Sequence, residues 1–132
     1  MIIGADVGTQ SLKVAVLDER LRTLGRAARP YQPSYPKPGW VEQAPSLWTD
    51  ALGPAIAEAL QAARVGPGDI RAIGFCGQLD GCIAVDSDGN ALSPCLIWMD
   101  RRAGAEIEGV PAELVRAECG LVLDPGHLGA KA

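Results

Sequence analysis

The sequence predicts an α/β fold from three observations. Two short apolar runs, Ile2 to Val7 and Leu12 to Leu17, flank a turn-like Gly8-Thr9-Gln10-Ser11. One stretch with helical periodicity follows, and further strand-like runs begin at Ile70. Strands, then a helix, then strands give an α/β order opened by an antiparallel hairpin. That order is not Rossmann alternation, and neither G-x-G-x-x-G nor a Walker A sequence is present.

Each element has a local reason. After a turn around Asp18-Glu19-Arg20, Thr23 to Ala28 reads as a third strand, and its Gly25 and charges suit a sheet edge. Residues 30 to 45 hold five of the ten prolines, interleaved with Tyr31, Tyr35 and Trp40. Proline fixes φ and lacks an N–H, so this stretch reads as a long loop, ordered by its aromatic residues. Trp48, Leu52, Ala55, Ile56, Ala59, Leu60 and Ala63 then form one apolar helical face, with Pro45 suited to the first turn. Pro54 would remove the bond to the Asp50 carbonyl, which predicts a kink or a late start. Gly66-Pro67-Gly68 is expected to end the helix.

Ile70 to Cys76 has the composition of a buried strand, leading into the loop Gly77-Gln78-Leu79-Asp80-Gly81. Cys82 to Asp86 and Ala91 to Trp98 read as strands joined at Ser87-Asp88-Gly89-Asn90. A weak helix is expected near Pro111 to Cys119, and the last dozen residues suggest no closing element.

Composition excludes several functions. The chain has 132 residues, 48% of them apolar, which corresponds to one domain or part of one. Sixteen acidic and 12 basic side chains give a net charge of −4, which disfavours nucleic-acid and anionic-membrane partners. No apolar run approaches the roughly 20 residues of a spanning helix. Met1 leads into Ile2-Ile3-Gly4-Ala5-Asp6 without a basic segment or cleavage site, so no signal peptide is expected. Cys76, Cys82, Cys95 and Cys119 show no C-x-x-C spacing and read as reduced, mostly buried thiols in the cytoplasm, not as a zinc site.

Three clusters could carry chemistry. Asp6 ends an apolar strand, where a carboxylate must be paired or face a cation. The turn after it offers backbone N–H groups, the Thr9 and Ser11 hydroxyls and the Gln10 amide, with Lys13 adding charge. A carboxylate beside an anion-binding turn suits magnesium and phosphate; alternatively, Asp6 only caps its own hairpin. Gln78 and Asp80 could hold hydroxyls of a polyhydroxyl substrate, or Asp80-Gly81 could serve only the turn. Asp100 could accept substrate hydroxyls and Arg101 or Arg102 could hold an anion, or Asp100 could cap a helix with Trp98 in the core. Trp40, near Glu42 and Gln43, is either an aromatic wall for a sugar or the anchor of its loop. His127 reads as structural.

Four stretches occur in a telling order. They are Ile3-Gly4-Ala5-Asp6-Val7-Gly8-Thr9-Gln10-Ser11-Leu12-Lys13, Pro38-Gly39-Trp40-Val41-Glu42-Gln43-Ala44-Pro45, Gly74-Phe75-Cys76-Gly77-Gln78-Leu79-Asp80-Gly81 and Leu96-Ile97-Trp98-Met99-Asp100-Arg101-Arg102. Together they resemble the N-terminal portion of FGGY-type carbohydrate kinases, nearest to xylulokinases. The resemblance implies a ribonuclease-H-like (actin-like ATPase) α/β domain, with a mixed sheet and flanking helices, incomplete over residues 1–132. The second, C-terminal domain and the general-base aspartate would then lie beyond residue 132, leaving this polypeptide without appreciable kinase activity.

The same resemblance implies ATP and Mg2+ as cofactors. Asp6, Gly8, Thr9, Gln10, Ser11 and Lys13 would face the nucleotide phosphates, with Asp6 holding the metal through water. Gln78, Leu79, Asp80, Asp100 and Trp40 would face the sugar. The implied reaction moves the ATP γ-phosphate to a hydroxyl of a ketose such as xylulose. Xylulokinases usually have histidine where Asp80 stands, and glycerol kinases an Arg-Glu pair where Leu79-Asp80 stand, so the implied acceptor widens to another ketose or a polyol. Ala44 replaces a frequent aspartate before the helix, losing a cap worth roughly 1 kcal/mol. A non-catalytic sugar- or nucleotide-binding module is the alternative, and a homo-oligomer is left open. Another actin-fold ATPase fits less well, because the Gln78 and Trp98 stretches match sugar recognition.

Overall fold

The structure, a computed structural model, describes residues 1–132. In chain order its elements are β1 (Ile2–Val7), β2 (Ser11–Leu17), β3 (Thr23–Pro30), β4 (Glu42–Gln43), α1 (Ser46–Ala63), β5 (Ala72–Gly77), β6 (Cys95–Leu96), α2 (Ala112–Cys119) and α3 (Leu128–Lys131). Short 3-10 turns occupy Pro67–Asp69 and Arg102–Gly104. The chain divides into two compact units, Met1–Gln32 with Pro45–Gln78, and Pro33–Ala44 with Leu79–Ala132. No helix is long and apolar enough to cross a membrane.

The first unit is a four-stranded mixed sheet in the order β3-β2-β1-β5. β1 and β2 form the expected antiparallel hairpin, β3 joins β2 antiparallel at the edge, and β5 runs parallel to β1. Strand alternation turns Ile3, Ala5, Leu12, Val14 and Val16 inward, where they pack with Ala27, Tyr31, Ala55 and Ala59. α1 lies against β2 and β3. Gly25 explains how closely it lies there: a Cβ at this position would come within 2.4 Å of the Ala59 carbonyl and the Ala63 amide. The glycine is therefore demanded by helix approach, not merely by an edge position.

Five sequence expectations change here. The cysteines are not mostly buried: Cys95 is, Cys82 is half-buried, and Cys76 and Cys119 are exposed, on the uncovered strand β5 and the exposed helix α2. α1 begins at Ser46 and runs through Pro54 without a late start. Pro54 and Asp50 are both exposed, so water can serve the carbonyl that proline leaves free. The helix stops before Gly66, because Arg64 adopts φ +57° and its N–H, with that of Val65, closes the last carbonyls. β5 is exposed at every residue rather than buried, since α1 packs over β2 and β3 and leaves β5 largely uncovered. Cys82 to Trp98 does not form a full hairpin ladder. Only single bridges Cys82–Leu96 and Val85–Ala91 form, and β6 pairs with β4 instead.

The second unit is built from loops around that short β4–β6 pair. The Ser87–Asn90 turn does form, held by the Asp86 carboxylate, which accepts from the Asp88 and Asn90 amides and the Asn90 side chain. Those donors hold the Asp86 carboxyl below its usual range, the Asn90 side chain first among them. α2 falls where the sequence predicts a weak helix. The last residues do contain a closing element, the single turn α3.

Candidate functional site

Register places the first cluster. Asp6 lies opposite Lys13 on β2 and Cys76 on β5. The inward positions of β1 and β2 are apolar, so Asp6 and its neighbours are forced onto the face away from α1. That face is an open crevice of about 330 Å³ lined by Gly4, Asp6, Lys13, Ala15, Gly74 and Cys76. Asp6 Oδ2 accepts from Lys13 Nζ at 3.3 Å, and Cys76 Sγ lies 3.7 Å from Asp6 Oδ1. The carboxylate retains 43% side-chain exposure, and its partners are the Lys13 and Cys76 side chains rather than the amides of its own turn.

The turn after Asp6 is braced from several directions. Gly8 N–H donates to the Ser11 carbonyl at 3.1 Å, and a Cβ on Gly8 would sit 3.1 Å from that same oxygen. Tyr31, which is 8% exposed, donates its hydroxyl to the Gly8 carbonyl at 2.7 Å and its N–H to the Gln10 carbonyl at 3.0 Å. Burial, and then the Asp6 charge, push the Tyr31 phenol above its usual range. The Thr9 hydroxyl donates to Gln78 Oε1 at 3.2 Å, and Gln78 N–H donates to the Val7 carbonyl. Gln78 therefore joins the Asp6 turn in the first unit, whereas Leu79, Asp80, Asp100 and Trp40 belong to the second. Gln10 is exposed and Ser11 half-buried at the turn's end.

Asp6 offers one exposed carboxylate, and no group of three or more acidic, histidine or cysteine side chains gathers anywhere to hold a metal. One carboxylate with substrate phosphates and water is the donor set magnesium accepts, so these residues fit the implied ion.

In the second unit, Asp100 has no exposed surface. Its Oδ2 accepts from Val41 N–H at 2.6 Å and Arg102 Nη2 at 2.8 Å, and its Oδ1 from Arg102 N–H and Nε. Burial pushes the Asp100 carboxyl up, but the Arg102 side chain, the Val41 N–H and the Arg102 N–H and charge outweigh it and hold it below the usual range. Asp100 thus anchors its own unit and presents no open oxygen to a sugar. Arg102 continues to Glu42 at 2.6 Å and lies 3.8 Å from the centroid of the Trp40 ring, with Lys37 at 4.4 Å. The ring that the sequence offers a sugar is engaged by two cations of its own unit.

Leu79 is exposed, and Asp80 adopts φ +56°, a conformation Asp tolerates better than most residues. Asp80 Oδ1 accepts from Leu128 N–H at 3.1 Å, and Lys131 Nζ donates to the Asp80 carbonyl at 2.8 Å. Trp98 is 46% exposed, not a core residue. Sequence reasoning did not single out Tyr31 as a brace or Lys131 as a donor. An aromatic directly after Pro30 was the available hint for Tyr31, and a cation near a chain end gave none for Lys131.

Comparison with known proteins bears on the family and the fold. The model of the FGGY family of carbohydrate kinases, N-terminal domain, matches residues 1–131. A glycerol kinase from Thermococcus gammatolerans is 34% identical over 126 residues, covering 93% of this chain and 26% of the relative. A xylulose kinase from Staphylococcus xylosus is 29% identical over 113 residues, covering 86% and 23%. A solved structure described as a xyloylose kinase from Brucella ovis superposes with a TM-score of 0.90 at 33% identity, over 98% of this chain and 28% of that one. The chain spans about a quarter of the length of the curated relatives it matches.

Proposed function

Because this chain belongs to the FGGY family of carbohydrate kinases, with their actin-like fold, we propose that it contributes to transfer of the ATP γ-phosphate to a hydroxyl of a ketose such as xylulose, or of a polyol. The observation that carries the proposal is the Asp6 carboxylate, open to its crevice and followed by a braced turn. On this proposal Asp6 holds magnesium through water, and magnesium supplies charge neutralisation for the phosphates. Lys13 adds positive charge at the same edge, while the Gly8–Ser11 turn offers N–H and hydroxyl donors. Tyr31 keeps that turn in place, while the Gly8 N–H and the Thr9 hydroxyl would have to exchange their bonds to the Ser11 carbonyl and Gln78 for bonds to an arriving anion.

The acceptor is assigned to the Leu79–Asp80 loop, exposed at Leu79 and half-buried at Asp80. Asp100 and Trp40 bear on it indirectly, by fixing Arg102 and Glu42. The chain covers 26% of its glycerol kinase relative. The proposal therefore assigns the base and the adenine pocket to sequence beyond residue 132, and binding without turnover to these residues.

Calorimetry with MgATP and with a ketose and polyol panel, beside a phosphorylation assay, tests it. MgATP binding that Asp6→Asn weakens, without turnover, is expected. No MgATP binding overturns the nucleotide assignment, and robust turnover overturns the division of labour. Sugar binding without any MgATP binding would favour a non-catalytic binding module.

A further inference from the structure

Lys131 makes the least expected contacts in the second unit. Its ammonium donates to three backbone carbonyls at once: Asp80 at 2.8 Å, Ile97 at 2.8 Å, and Gly126. Those carbonyls come from three separate stretches, namely the Leu79–Asp80 loop, the strand end before Trp98, and the turn after Asp124. All three ammonium protons are thereby accounted for.

The surrounding contacts tighten the same knot. Asp80 Oδ1 accepts from the first amide of α3, at Leu128. Asp124 pairs with Arg101 and accepts from Gly126 N–H at 2.6 Å. Gly126 is buried, and a Cβ there would lie 2.5 Å from the Trp98 carbonyl, so this turn presses directly on the Trp98 backbone. Burial holds the Lys131 ammonium below its usual range against the opposing charges of Asp100 and Asp80, while the three carbonyls supply its hydrogen bonds.

A lysine held this way is a fastener between loops rather than a solvated surface charge. We propose that Lys131 is a positioning residue of the acceptor site, setting the Asp80 loop against the Trp98 strand end by binding the carbonyls of Asp80, Ile97 and Gly126. This rests on the assignment of the acceptor to the Leu79–Asp80 loop. Lys131 touches neither nucleotide nor sugar in this account; it acts through the loop that does.

The test compares the parent chain with Lys131→Met, which keeps the stem and removes the ammonium, and Lys131→Arg, which keeps the charge. Three quantities are read: the carbonyl carbon shifts of Asp80, Ile97 and Gly126 by NMR, affinity for the ketose and polyol panel, and affinity for MgATP. In Lys131→Met the three carbonyl resonances should move together, and sugar affinity should fall about tenfold, the effect of losing a charged hydrogen bond. MgATP affinity should hold, and Lys131→Arg should recover most of the sugar affinity.

Unmoved carbonyl resonances overturn the contact. Moved resonances with unchanged sugar affinity overturn the positioning role alone. A parent chain that binds no ketose or polyol overturns the acceptor assignment and the pocket role with it. Equal loss of sugar and MgATP affinity shows a merely structural lysine.

Should Lys131→Met fail to fold, Leu128→Pro carries the test. It removes the N–H that holds Asp80 Oδ1, at a first helical position where proline is tolerated, and His127 before it is already extended. Reduced sugar affinity with MgATP binding retained supports the fastening of the loop, and unchanged affinity overturns it.

Discussion

Replacing Gly25 by alanine sets a methyl group against the backbone of α1. The new Cβ would lie 2.4 Å from the Ala59 carbonyl oxygen, 2.4 Å from the Ala63 nitrogen and 2.9 Å from the Ala63 Cα. None of these atoms can rotate away, as the end of a side chain could. Relief therefore requires α1 to lift from β3 by most of an ångström, loosening its own Ala55 and Ala59, both fully buried on the side that faces the sheet. Overpacking costs about 1–3 kcal/mol, and a rigid backbone neighbour puts this case at the upper end, about 3 kcal/mol. Reduced freedom of the unfolded chain returns about 0.5 kcal/mol, because Gly25 has no positive φ that alanine would have to avoid. A net loss of about 2.5 kcal/mol should appear in urea unfolding as a lower midpoint at unchanged slope. Gly74→Ala is the control: it lies in the same sheet, with nothing within 4 Å of its Cβ, and should be neutral to within about 0.5 kcal/mol. If Gly25→Ala unfolds at the parent midpoint, the close approach of α1 to β3 is refuted.

Three further outcomes are expected. Tyr31→Phe strips the Gly8 carbonyl of its buried donor and should cost about 1–2 kcal/mol by urea titration. Since the Tyr31 phenol is raised, the parent's stability should be intact below the ordinary tyrosine value of about 10 and fall as pH climbs through the folded value, a decline the phenylalanine variant should lack. Asp100→Asn removes the charge that answers Arg102 and should cost about 3 kcal/mol. The Asp100 carboxyl is held low, so its stabilisation should be complete above about pH 4 and vanish as acid passes through the lower folded value, leaving the asparagine variant less acid-dependent there. Asp6→Asn should weaken MgATP binding about 10- to 100-fold by calorimetry while the unfolding midpoint stays near the parent's, because its ion pair with Lys13 is well exposed.

What could be read from the sequence divides along lines of range. The β1–β2 hairpin, the edge position of β3 and the α2 segment depend on local alternation and turn chemistry, and these were legible. Arg64 was not, since its positive φ ends α1 through contacts to Leu60 and Gln61 that no glycine announced. The exposure of β5 was also hidden: composition reports what a strand could bury, not whether a neighbour is there to cover it. In the candidate site the Asp6 turn was visible as a motif. The occupation of Asp100 by Val41 and Arg102 spans both a long-range and a near-neighbour contact, and spacing alone cannot tell a free carboxylate from one already answered. Lys131 joins three stretches far apart in sequence, which is invisible to any window-based pattern.

The same parity that folds the first unit also exposes its chemistry. Side chains alternate faces along a strand, so Ile3 and Ala5 cannot turn inward without sending Gly4 and Asp6 outward. On β2, burying Leu12, Val14 and Val16 likewise forces Lys13 and Ala15 to the opposite face. β5 continues the floor with Gly74 and Cys76, paired in register with Gly4 and Asp6. The outcome is a sheet with one face filled by aliphatic side chains under α1 and another floored by Gly4, Ala15 and Gly74, with its polar groups gathered at one end. A one-residue slip of β1 would bury the Asp6 carboxylate and expose Ile3 and Ala5, so core packing and site geometry are enforced by one register. A large residue at Gly4 or Gly74 therefore tests function without testing the fold: neither glycine meets a backbone neighbour that would object, yet each would narrow the crevice that Asp6 faces.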